Sequence, residues 1–138
     1  MNRKKTQALA SPSNLDLFAP PLEISLATIT EDAENGLLPT VDQLYLRFRL
    51  FNVKFFAGKL PTPRIRYSER LLAAGLYVRN RQEIVLSRKY HDLFPEDIDD
   101  TLKHEMIHLI HFNHNAEFKR EAARIGASYK AKSHKNLR

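Results

Sequence analysis

His104, Glu105 and His108 have types and a spacing that specify a chemistry. The run His104-Glu-Met-Ile-His108 reads H-E-x-x-H. Residues four apart share one face of an α-helix, so both imidazoles can reach a single ion, with the glutamate beside them. Zinc held this way lowers the pKa of a bound water towards about 7, and the carboxylate takes its proton as the water attacks a carbonyl. The spacing therefore predicts a hydrolytic centre with one Zn2+ per chain, His104 and His108 as ligands and Glu105 as catalytic base. The chain has no cysteine, so His and carboxylate must supply every protein ligand.

A third ligand is needed, and two histidines compete for the place. His111 shares the helical face of His104, but an unbroken helix carries it about 10 Å along the axis. Zn–N bonds of about 2 Å require the ligand nitrogens to lie much closer together. His114 falls beyond the expected helix end, where the chain can turn back, and its offset from His104 matches H-E-x-x-H-x-x-G-x-x-H with His111 in place of the glycine. This geometry favours His114. His111 is then left to bond a core group or touch substrate, and Glu117 and Glu121 are the carboxylate alternatives. His91 and His134 lack such a context and are expected on the surface.

These residues need a helix to carry them. Pro95 suits a first helical position, Glu96 and Asp97 favour the dipole, and the helix is predicted to run to about His111 or Phe112. Leu102, Met106, Leu109 and Ile110 form its apolar side. Asn115 can cap a following helix, Ala116 to Ile125, which Gly126 stops. Upstream, Leu44, Phe48, Phe51 and Phe55 mark an amphipathic helix from Val41 that ends near Gly58 and Pro61. Arg64–Tyr67, Gly75–Val78 and Glu83–Leu86 are strand candidates, the last two joined around Arg79-Asn80-Arg81. Arg88–Phe94 reads as a connector with about one helical turn. The fold class is α+β.

A length of 138 residues fits one domain. Residues 1–40 hold four of the seven prolines and show no sustained periodicity, so they read as a disordered segment. Residues 41–128 form the domain, and 129–138 a basic tail expected to be frayed. No run of eighteen apolar residues exists, so no membrane helix is expected, and Ala8–Leu26 is too broken for a secretory leader. The missing cysteines suit a reducing cytoplasm, the expected location. Net charge is +6, and residues 116–138 carry seven basic and two acidic groups. Such a tail suits a polyanion, making DNA a candidate partner and Lys130, Lys132, Lys135 and Arg138 candidate phosphate contacts. Composition alone supports a solvated tail equally well.

Several segments, in order, resemble the SprT/Spartan family of zinc metallopeptidases over about Leu44 to Gly126. Phe51-Asn-Val-Lys-Phe-Phe-Ala-Gly-Lys-Leu-Pro61 is similar to the family's helix end and F-x-G-x-L-P turn. Ala74-Gly-Leu-Tyr-Val and Glu83-Ile-Val-Leu-Ser87 are similar to its central strands. Asp100-Thr-Leu-Lys-His-Glu-Met-Ile-His108 resembles its active-site helix, and His114-Asn-Ala-Glu-Phe118 its third-ligand segment, with Asn115 where glycine is frequent. The resemblance implies a compact α+β zincin-like domain, zinc on His104, His108 and His114, Glu105 as base, and hydrolysis of peptide bonds in protein substrates. Eukaryotic relatives act on proteins crosslinked to DNA. The cysteine-rich zinc ribbon of many members has no counterpart here.

A second resemblance lies near the N-terminus. Asn14-Leu15-Asp16-Leu17-Phe18 is similar to short peptides that bind bacterial sliding clamps, which implies a clamp as a candidate partner. Leu15, Leu17 and Phe18 are apolar anchors in a polar setting, as a peptide that folds on binding requires. The same residues could pack onto the domain instead. The leading reading is a zinc metalloendopeptidase, with DNA-associated proteins as candidate substrates. The alternatives are a nucleic-acid-associated zinc-binding adaptor with little proteolytic activity, against which the intact Glu105 argues, and zinc-dependent hydrolysis of a non-protein substrate.

Overall fold

The computed structural model describes residues 38–133. Helix α1 spans Val41–Phe56, and a capping box starts it: the Thr40 hydroxyl accepts from the Gln43 N–H while the Gln43 side chain accepts from the Thr40 N–H. Leu44 and Phe48 on its inner face are fully buried. The helix ends on left-handed Ala57 and Gly58. Asn52 then grips both backbone groups of Leu60, its amide donating to the carbonyl at 3.0 Å and its oxygen accepting the N–H at 3.1 Å. That clamp turns the chain into the sheet.

The sheet comprises β1 (Arg64–Ser68), β2 (Gly75–Val78) and β3 (Glu83–Ser87), in the order β1-β3-β2. Strand β3 runs parallel to β1 and antiparallel to β2, with Leu76 opposite Val85. All five residues of β3 are buried, which explains its unbroken apolar run Ile84-Val-Leu86. The expected pairing of the last two strands across Arg79-Asn80-Arg81 is present, with those three residues in a 3-10 turn. Strand β2 lies at one side of the sheet and faces the helix that carries the H-E-x-x-H run.

Helix α2 covers Arg88–Leu93, capped by Ser87, whose hydroxyl accepts from the Tyr90 N–H. His91 lies on it and corrects the sequence reading: it is fully buried. Helix α3 spans Ile98–Ile107, shorter at both ends than predicted. Pro95–Asp97 forms a 3-10 turn before it. At the other end the N–H groups of Leu109 and Ile110 bond carbonyls three residues back, tightening the chain out of the α-helix. Leu102 and Met106 enter the core, whereas Ile110, beyond the helix end, is exposed. Helix α4, Ala116–Ile125, has the predicted bounds, with the Asn115 side chain accepting from the Phe118 N–H and Gly126 left-handed.

One core joins these elements, with Leu44 and Phe48 of α1, Ile84 and Leu86 of β3, Met106 of α3 and Phe118 of α4 among its members. Among the described residues no helix is long and apolar enough to cross a membrane. The frayed tail expected after Tyr129 is corrected as far as Ser133. The Ala74 N–H donates to the Lys132 carbonyl at 2.7 Å, and Ser133 bridges Ala73 antiparallel.

Candidate metal centre

The last turn of α3 presents His104 and His108, and the reversal after it returns His114 to the same point. One ring nitrogen from each residue lies within 4.8 Å of the other two. His108 Nε2 and His114 Nε2 are 3.1 Å apart. Tetrahedral ligation with Zn–N bonds of about 2.0–2.1 Å sets ligand nitrogens roughly 3.3 Å apart, so this spacing fits one small ion.

The other nitrogen of two rings is already engaged. His104 Nδ1 lies 2.7 Å from the Ser128 carbonyl, and His108 Nδ1 lies 3.0 Å from the His111 carbonyl. A carbonyl only accepts, so each Nδ1 carries the proton and each Nε2 keeps its lone pair for a metal. Burial lowers the pKa of His104, and burial together with neighbouring His104 holds His108 down to about 4. Both imidazoles are therefore neutral near pH 7, the form a metal requires. Phe118 underlies the cluster, its ring centroid 4.9, 4.7 and 4.8 Å from those of His104, His108 and His114. It is fully buried and sits where α4 begins, so the Asn115 cap that starts α4 also places this floor.

Among the described residues His111 does not join the histidine cluster. It contributes its backbone carbonyl to His108 instead of its ring. Glu117 and Glu121 are not in the cluster either, and Glu121 pairs with Arg124 at 2.7 Å.

Glu105 is buried beside the histidine cluster, and burial pushes its carboxyl up to about 8. Gly75 of β2 lies against it. A Cβ at Gly75 would stand 2.9 Å from Glu105 Oε2 and 2.6 Å from Thr101 Cγ2. The strand can approach the helix this closely only because position 75 has no side chain. Sequence reasoning placed Gly75 in a strand without seeing this role; the adjacent Ala74-Gly75 pair of small residues was the available signal.

A cleft of about 470 Å³ opens over the centre. Its wall includes Tyr77, whose ring is nearly parallel to those of His108 and Phe112, and Arg79, whose guanidinium stacks 3.7 Å from the Phe112 centroid. Apolar and cationic surface thus borders the histidine cluster. Of the basic residues proposed to meet phosphate, Lys130 lines a small cavity that also reaches Glu105. Lys132 is ion-paired to Asp100 at 3.0 Å and Asp97 at 3.4 Å. Lys135 and Arg138 lie outside the described residues, as does the whole segment Asn14, Leu15, Asp16, Leu17 and Phe18.

A family model described as SprT-like matches residues 44–136, more than half of the chain. Comparisons with curated proteins and with solved structures give no match. The matched span runs from within α1 through the segment docked on the sheet at Ser133, and includes the three histidines and Glu105. The chain belongs to the SprT-like family.

Proposed function

We propose that this protein is a zinc metalloendopeptidase. One observation supports the reading above the others: three imidazoles converge on one point with a buried carboxyl beside it and a cleft above it. His104, His108 and His114 would hold the ion, and the all-nitrogen donor set with one carboxylate held back suits zinc in a hydrolytic site. When bound, zinc supplies a Lewis acid that polarises a carbonyl and acidifies water, and its charge favours the ionised form of a nearby carboxyl. Glu105 accepts the proton of the attacking water and delivers it to the departing amine. The Ser128 and His111 carbonyls keep His104 and His108 in the ligating tautomer. The cleft admits an extended chain, with strand β2 along one side.

An adaptor without proteolytic activity would have no use for a carboxyl buried at this position, where burial disfavours its charge. We assign DNA-associated proteins as the substrates, on the basic C-terminal composition, and the segment Asn14–Phe18 as a contact for a sliding clamp, on its likeness to clamp-binding peptides. The test is cleavage of an unstructured fluorescent protein by the zinc-loaded full chain, with and without single-stranded DNA. We expect zinc-dependent cleavage that Glu105→Gln abolishes. Equal turnover by Glu105→Gln would remove the proposed mechanism, and DNA-independent turnover at all salt concentrations would remove the DNA assignment.

A further inference from the structure

The segment after α4 meets a histidine ring of the metal centre through a hydrogen bond at Ser128, and two side chains of α3 grip that residue from both ends. His104 Nδ1 donates to the Ser128 carbonyl at 2.7 Å, and the Asp100 carboxylate accepts the Ser128 N–H at 2.8 Å. Asp100 and His104 are four residues apart, so they project from one helical face towards the same point. Ser128 lies in irregular chain beyond left-handed Gly126, where no helix or strand ladder orients its carbonyl. Its orientation therefore depends on what holds its N–H.

Asp100 is itself held. Lys132 Nζ lies 3.0 Å from its second oxygen, and the Lys132 carbonyl is anchored to the Ala74 N–H on the sheet. Ser133 Oγ adds a bond to the Leu72 carbonyl at 3.3 Å. A continuous chain of contacts thus runs from the sheet through Lys132, Asp100 and Ser128 to the metal-ligating ring of His104.

We propose that Asp100 is a positioning residue for the metal centre, acting through Ser128 to fix His104, and that Lys132 and the docked segment 130–133 are required for it to do so. This rests on the zinc-site reading above. Partners of this outer kind typically carry about 10- to 100-fold of metal affinity, because an unheld imidazole samples other rotamers and the wrong tautomer. The carboxylate in this case acts on the ring through a peptide unit. The effect must therefore pass to any change that frees Ser128, including loss of residues well after the ligands in sequence.

The experiment measures zinc dissociation constants of the full chain by competition with a chromophoric chelator, alongside thermal unfolding of the zinc-free protein. Asp100→Ala should weaken zinc by about 10- to 100-fold and abolish the slowly exchanging His104 Nδ1–H signal in nitrogen-edited NMR of the zinc-loaded protein. Leu50→Ala, a buried truncation in α1, controls for destabilisation and should lower the melting temperature while leaving that signal in place. Lys132→Met should weaken zinc in the same direction, and Lys132→Arg should restore it. Asp100→Ala binding zinc within about twofold of the parent would overturn the proposal, as would an equal loss in Leu50→Ala. Should Asp100→Ala not fold, the Lys132 pair decides: unchanged affinity in Lys132→Met overturns it. A parent protein that binds no zinc would defeat the metallopeptidase reading itself, whereas tight parental binding with indifferent variants defeats this inference alone.

Discussion

Gly75→Ala places one methyl group between strand β2 and the face of α3 that carries Thr101 and Glu105. The new Cβ would lie 2.6 Å from Thr101 Cγ2 and 2.9 Å from Glu105 Oε2, both inside van der Waals contact by several tenths of an ångström or more. Thr101 is fixed on the buried side of α3, so relief comes from shifting β2 or turning the Glu105 carboxyl away. Overpacking of this size costs about 1–3 kcal/mol, and the reduced entropy of the unfolded chain returns only about 0.4–1 kcal/mol. Net destabilisation should be about 1–2 kcal/mol. The larger effect falls on hydrolysis, since displacing a proton acceptor by about 1 Å can cost on the order of 100-fold. The histidines are untouched, so zinc content should stay at about one per chain. Kinetics on the fluorescent substrate, metal analysis and urea unfolding separate these quantities. Turnover within about threefold of the parent, with unchanged stability, would refute the claim that β2 presses on Glu105.

Glu105→Gln should retain zinc while turnover falls by about 10²- to 10⁴-fold. In the zinc-free protein the same change should be more favourable at pH 8 than at pH 5. The folded carboxyl titrates near 8, above its unfolded value, so its stabilising effect is lost as pH rises through that window. His114→Ala should weaken zinc far more than His111→Ala, because alanine keeps the carbonyl through which position 111 acts on His108; chelator competition giving the reverse order would reassign the third ligand. His91 is fully buried, and among the described residues neither ring nitrogen has a hydrogen-bond partner. Burial holds it down to about 4, so stability is full above about 6.5 and drains away as pH falls towards 4, by about 3 kcal/mol. His91→Phe should flatten that part of the acid-unfolding profile in chelator-treated protein, and parallel profiles for the two proteins would count against the assignment.

Much of this site is legible in the order of residues because its rules are local. H-E-x-x-H needs only the 3.6-residue helical period, and the cap at Asn115 with the stop at Gly126 bounds α4 through backbone groups a few positions away. The choice of His114 over His111 follows from helical rise, although the helix ends sooner than expected. Hydrogen bonds from Leu109 and Ile110 to carbonyls three residues back compete with the α-helical ladder there, and periodicity carries no trace of them.

The rest depends on which distant segments meet. His91 reads as an ordinary polar residue, and only the packing around α2 makes it a buried base. The small pair Ala74-Gly75 does not by itself point to Glu105, thirty positions on; the absence of a Cβ matters only once β2 lies against α3. Lys132 reads as a free charge in a basic tail until Asp97 and Asp100 are found beside it. The histidines that could hold a metal, their helical spacing and the glutamate beside them are thus legible in sequence alone, since they depend on neighbours within a turn or two. The tautomers, the burial of Glu105 and the anchoring of His104 through Ser128 were decided by tertiary structure, because each needs a partner that only folding brings within hydrogen-bond or van der Waals reach.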